Sequence, residues 1–388
     1  MLAKSCFYEI LTIAVRIIYE RRAGPIPSLA ACNFASAHFF RLRLFSVLSW
    51  PPRALVRRRA CAIAPLPQRL ADTGLFLPGS STVRPEHLLF SPQYPLWSDG
   101  ASKRRWLSLP HGTFIDAARP DAWEFPRGTR LWKEFAFAGR KVETRFIERL
   151  PDGSWRFAAY VWNEAGSEAV LAPAAGFAAL PVEQAPGGRY AIPAEADCRS
   201  CHEGAAVPVL GAGALQLSPD RDPLAPHAET PETAGIDLRD LIARGWLRYL
   251  PAQLLSHPPR IVTASAVERA ALGYLHANCG HCHNNGGSPA PVGLELAHET
   301  ALGAASTERT LASMLGAKSR FRSSTRPDAT QLVMPGNADV SVLALRMRSR
   351  NPYAQMPPLG THFTDAEGFA LIERWINHDL QPRKETAP

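Results

Sequence analysis

The chain has 388 residues, 46% of them hydrophobic and 20% charged, proportions that exclude wholesale disorder or a fibrous structure. Its net charge of +8 is confined to residues 1–60, which hold ten Lys or Arg against only Glu9 and Glu20. The remainder is balanced, so the charge gives no reason to expect a nucleic-acid partner.

In chain order, the basic start comes first. Two apolar runs, Ile10 to Val15 and Leu44 to Trp50, are broken by Arg16 and by Ser46 and Ser49. Neither reaches the ~18–20 apolar residues of a membrane span. Leu29-Ala30-Ala31-Cys32 has the outline of a lipoprotein cleavage box, but Pro25 and Pro27 occupy its apolar core. Residues 1–80 therefore read as a basic leader or poorly ordered segment. Cys32 reads as an incidental cysteine, with a lipid anchor as the alternative and no other support for membrane anchoring.

From Tyr94 to Ala172 the pattern has period two. Arg105 to Leu109, Thr129 to Phe137, Val142 to Phe146 and Trp155 to Val161 read as strands with one buried face, joined by turn chemistry such as Pro151-Asp152-Gly153. Six of the nine tryptophans fall here (Trp97, Trp106, Trp123, Trp132, Trp155 and Trp162). They read as core, with a carbohydrate platform as the alternative. The expectation is a β-sandwich-like domain over residues 85–190, without a catalytic motif of its own.

Two motifs follow, Cys198-Arg-Ser-Cys201-His202 and Cys279-Gly-His-Cys282-His283. Two thiols three residues apart can add across the vinyl groups of a haem, and the next residue then supplies an imidazole to the iron. Covalent haem c at both places is the leading expectation, with Cys198, Cys201, Cys279 and Cys282 as attachment sites and His202 and His283 as iron ligands. Residues 191–260 form the first haem-binding segment. It is approached by an extended stretch through Pro193 and followed by a short helix from Leu238 to about Gly245. Its sixth ligand is open, with His227, His257 and His276 as the local choices.

The second motif has a clearer setting. Ser265 and Glu268 form a capping box that starts a helix with Val267, Ala271, Tyr274 and Leu275 on one face, running out at Asn278. Thr364 to Glu367 is a second capping box, opening a helix striped by Phe369, Ile372 and Ile376. Between them Met356, followed by two prolines, offers the thioether expected of an electron carrier. The other reading of Met356 is a core gap-filler.

Two alternatives compete with haem. Cys-Gly-His-Cys is also a thiol–disulfide oxidoreductase string, but that chemistry needs the first cysteine at a helix N-terminus, and here a helix precedes it. A zinc site of two C-x-x-C pairs usually has ~15–20 residues between them, against 77 between Cys201 and Cys279.

The stretch from Tyr274 to His283, with Met356-Pro-Pro-Leu359 beyond it, resembles class I cytochrome c domains. With Tyr94-Pro-Leu-Trp97, Trp123-Glu-Phe125, Glu143-Thr-Arg145 and the first motif, residues 90–380 resemble a family of bacterial dihaem c-type cytochromes with a β-rich domain in front. The resemblance implies a multidomain α+β protein: the β-sandwich-like domain, then an α-helical cytochrome c-like domain over residues 261–380. It further implies two covalent haems and electron transfer in the periplasm or cell envelope. The partner would be a redox protein, a dehydrogenase or another cytochrome. A dihaem peroxidase-like enzyme with an open first haem is the alternative.

Overall fold

The computed structural model describes residues 63–230, 233, 235–287 and 292–380. The leader readings, with Cys6, Cys32 and Cys61, lie outside the described residues. The stretch 63–80 does not continue the leader: Leu70, Leu75 and Phe76 are buried against Trp132, Phe146 and Trp162, and the Thr73 hydroxyl accepts from Trp132 Nε1 at 2.9 Å.

The strands are β1 (Leu88–Leu89), β2 (Ser102–Ser108), β3 (Ile115–Asp116), β4 (Arg130–Phe137), β5 (Arg140–Arg149), β6 (Trp155–Trp162), β7 (Ala169–Leu171), β8 (Phe177–Pro181), β9 (Arg189–Ile192) and β10 (Leu247–Arg248). Six of them form one antiparallel sheet in the order β1-β2-β4-β5-β6-β7. The other four form two small sheets: an antiparallel pair, β8 with β9, and a parallel pair, β3 with β10. With its helices the chain is of mixed α+β class.

Both faces of the large sheet are covered, which differs from the single buried face that alternation implies. Trp106, Trp132, Phe146 and Ala158 form one cross-strand row on the outer face, under Leu70 and Leu75. On the inner face, where a sandwich would place a second large sheet, residues from Val209 to Leu247 cover one end. The β8–β9 pair, through Tyr190 and Ile192, covers the other. Charged residues are tolerated inside because most are paired: Glu143, with no exposed surface, bonds Arg145, and Glu148 holds both Arg130 and Arg156.

The α-helices longer than four residues are α1 (Glu195–His202), α2 (Leu238–Ala243), α3 (Ala266–Asn278), α4 (Ala304–Met314), α5 (Val342–Arg348) and α6 (Ala366–Arg374). Ser265 caps α3 by accepting from the Glu268 N–H at 3.0 Å, and the Glu268 carboxylate reaches back to the Ala264 N–H at 3.3 Å. For α6 the cap is Asp365 rather than Thr364. Its carboxylate takes the Gly368 N–H at 3.0 Å, the Tyr274 hydroxyl at 3.0 Å and His227 Nε2 at 2.8 Å. A carboxylate satisfies three donors where a hydroxyl could not, and Thr364 instead accepts from Arg350.

Helices α3, α5 and α6 share a core around Leu275, Ile372, Trp375 and Ile376. Tyr94, from the chain between β1 and β2, is buried in this helical core. Its neighbours tie the same segment down further. The Gln93 amide carbonyl accepts from the Asp222 N–H, and the Asp99 carboxylate accepts from the N–H groups of His362 and Phe363. The sheet and the helices are thus interlocked by residues 93–99. Among the described residues no helix is long and apolar enough to cross a membrane.

Candidate functional site

The first motif lies on α1, directly after β9. Asp197 fixes the start of the helix by accepting from the Ala194 N–H at 3.0 Å. Cys198, Cys201 and His202 all line one cleft of about 660 Å³ between the inner sheet face and residues 350–362. The His202 ring leans on Phe157 at 5.1 Å, and its Nδ1 is bonded to the Pro208 carbonyl. A carbonyl only accepts, so Nδ1 carries the proton and Nε2 keeps its lone pair. Burial pushes the imidazole pKa down to about 4, which holds the ring neutral at pH 7.

The second motif begins where α3 ends. Asn278 holds that end: its carbonyl accepts from the Trp97 N–H at 2.9 Å and its amide donates to the Tyr274 carbonyl at 3.0 Å. The chain then curls so that the N–H groups of Cys282 and His283 return to the Cys279 carbonyl at 3.1 and 2.8 Å. Cys279, Cys282 and His283 line a slit of about 220 Å³, and Met356 lines the same slit with Leu343 and Phe369. Met356 is set by its own N–H, which donates to the Arg346 carbonyl at 2.9 Å. His283 Nδ1 is buried without a hydrogen-bond partner among the described residues.

Although 77 residues separate them in sequence, the two motifs touch. The sulfurs of Cys201 and Cys282 and a ring nitrogen of His281 all lie within 4.8 Å of one another. The Asn284 amide stitches the junction, donating to the carbonyls of Gly204, Gly280 and His281 at 3.0, 2.9 and 3.1 Å. His281, Trp97, Arg350 and Pro357 line both clefts, so the two share a wall.

Three of the four thiols are tuned away from nucleophiles. Burial raises the pKa of Cys198 and takes that of Cys279 up to about 12. A bond to Cys282, with burial, takes Cys201 to about 12 also, and only Cys282 is lowered, as the acceptor of that bond. A reactive thiolate needs the reverse.

The three histidines considered for the first iron lie elsewhere. His227 bonds Asp365 and Glu367, His257 meets Ser256, and His276 accepts from the His298 N–H at 3.0 Å. None lines the first cleft. Sequence reasoning missed His281, hidden as a spacer within the second motif, and Asn284. It also missed Arg105, Lys133 and Arg145, because charged residues in an alternating strand read as its solvent face, whereas all three line the first cleft. Trp106, Trp123, Trp132 and Trp162 are buried, while Trp97 sits at the shared wall. Comparison of the chain with protein-family models, curated proteins and solved structures finds no match.

Proposed function

We propose that the chain is a dihaem c-type cytochrome that passes single electrons, with covalent haem at each C-x-x-C-H motif. One observation carries this reading: each motif turns both thiols and its terminal histidine into a cleft of its own. Bound there, haem iron supplies a one-electron Fe(III)/Fe(II) couple.

The residues meet that chemistry unequally. In the first cleft the volume lies within the ~300–1,000 Å³ usual for ligand pockets, and His202 is neutral, with Nε2 free and Nδ1 held by a carbonyl. In the second the donor set is the fuller one, with His283 and the Met356 thioether in one slit. The slit is narrower than that range, so its apolar walls must part to admit a macrocycle. Cys198 and Cys201 would hold the first ring, Cys279 and Cys282 the second. The contact of Cys201 with Cys282 would bring the two attachment points together, which suits transfer between the two groups.

An electron carrier needs only a weakly docked redox partner, such as a dehydrogenase or another cytochrome. Haem c is expected of the periplasm or cell envelope. A second reading is a peroxidase-like enzyme with an open first haem: the lining of the first cleft contains no methionine and none of the three histidines above, although His281 and His362 do line it. A structural metal held by Cys201, His281 and Cys282 has three converging ligands among the described residues, one short of the usual tetrahedral set.

The test is production of the full chain with the cytochrome c maturation machinery, followed by a haem stain after denaturing electrophoresis and an intact mass. Two covalent groups per chain are expected, falling to one when Cys198 and Cys201 are both replaced by Ala. A colourless chain at its unmodified mass sinks the proposal. Reduced-state spectra then separate the readings, since a high-spin first haem that reacts with peroxide favours the enzyme.

A further inference from the structure

Three cations stand side by side across the inner face of the sheet. The register sets Arg105 of β2 opposite Lys133 of β4, and Lys133 opposite Arg145 of β5. Lys103 is on the same face, two residues along β2. Like charges directly opposite one another in an antiparallel ladder repel, and burial adds a desolvation cost to each.

Several other charges in this sheet are matched. Glu148 binds Arg130 at 2.8 Å and Arg156 at 2.6 Å, and Glu134 binds Lys141 at 3.1 Å. Within the row only Arg145 is satisfied, by two bonds to Glu143 at 2.8 and 3.1 Å, where Tyr190 also donates at 2.7 Å. Arg105 is 6% exposed, and among the described residues its guanidinium has no hydrogen bond or ion pair. Among the described residues the Lys133 ammonium has no hydrogen bond or ion pair; it meets the face of Phe135, at 4.9 Å, and feels the charge of Glu143, which Arg145 already holds. Lys133 is half-buried and lines the cleft.

The other charges around the cleft do not answer this excess. Asp99 is taken by His362 and Phe363, and Asp197 by the Ala194 N–H. Arg350 adds a further cation to the wall, and Glu229, the carboxylate that Arg105 feels, is exposed. Two cations without a carboxylate partner among the described residues therefore face an open cleft.

We propose that Arg105, Lys133 and Arg145 form an oxyanion site in the floor of the first cleft, accepting a small dianion or a pair of carboxylates. Arg and Lys side by side supply the forked and point-like donors that oxyanions take. The electrostatics agree. Burial, then Arg105, Lys103 and Arg145, pull the Lys133 ammonium far below its ordinary range, and burial takes Arg105 down to about 10. An anion among them reverses both effects. The carboxylates have two sources, the haem's own propionates or a free oxyanion. The row itself is independent of the haem reading.

The test compares wild type, Lys133→Met, Arg105→Met and the exposed control Arg104→Gln as purified full-length chains. Thermal midpoints are titrated with sodium phosphate against sodium chloride of equal ionic strength. If the ligand is a free oxyanion, phosphate alone raises the wild-type midpoint saturably, on the order of a few degrees. Both Met variants lose this response and the control keeps it. If propionates occupy the site, phosphate does nothing to the wild type, while both Met variants show a lower midpoint and less haem recovered per chain.

The proposal is overturned if both Met variants raise the midpoint, as deletion of an unmatched buried charge does, with haem content unchanged and no phosphate response in any chain. The two readings fail separately. A colourless chain stabilised by phosphate through Lys133 keeps the anion site and loses the haem. A doubly haem-loaded chain with that overturning pattern does the opposite.

Discussion

His227 and Asp365 form a pair whose titration can be read in stability. The bond to Asp365 raises the His227 pKa above its ordinary 6.5, against the effect of burial. Burial alone would raise Asp365, but the donors from His227, Gly368 and Tyr274 outweigh it and leave its pKa lowered. The imidazolium's contribution is thus complete below pH 6.5 and is lost as pH rises through the higher folded value. The carboxylate's contribution is complete above about pH 3.9 and fades as pH falls through the lower one. Wild type should exceed His227→Gln by about 1 kcal/mol near pH 5.5, with the gap closing above pH 7. Chemical denaturation across that range measures it. A gap that does not change with pH would count against the pair. His202, His276 and His298, whose pKa values burial lowers, shift both proteins alike, so only the difference is diagnostic.

Close packing in the helical core depends on two glycines set against two tyrosines. A Cβ on Gly368 of α6 would lie 2.3 Å from the Tyr274 ring, and one on Gly273 of α3 would lie 2.1 Å from the Tyr94 ring. Alanine in a helix interior normally gains up to ~1 kcal/mol over glycine, whereas overpacking a tight core costs ~1–3 kcal/mol or more. At these separations against buried rings the clash prevails. Gly368→Ala should therefore lower stability by about 2 kcal/mol, visible as a lower thermal midpoint. An unchanged or higher midpoint would mean that the helices do not cross as closely as described. The existence of α3 was legible, because Ser265, Glu268 and the stripe through Leu275 mark its start and face. The cap of α6 was displaced by one residue, since nothing local reveals that Asp365 must also hold His227, 138 positions away.

Across the whole molecule, the junction between the two motifs is the arrangement with most bearing on function. Asn284 holds it with one amide shared among three carbonyls. Removing it as Asn284→Ala should cost about 1–2 kcal/mol. Amide exchange should then speed up together in residues 198–206 and 279–287, read by mass spectrometry of proteolytic fragments. Faster exchange in only one of the two segments would show that they are not coupled.

The local chemistry of the site is written in adjacent residues. Two thiols three apart with an imidazole next in line form a short-range pattern, and so do the period-two strands and the capping of α3. These needed no knowledge of the rest of the chain. Only the tertiary structure decided that Cys201 meets Cys282, that Tyr94 enters the helical core, and that Arg105, Lys133 and Arg145 stand in one row facing a cleft. Each of these depends on contacts between segments tens of residues or more apart. Strand register and the packing of distant apolar faces select such contacts, and neither is encoded in any single window of sequence.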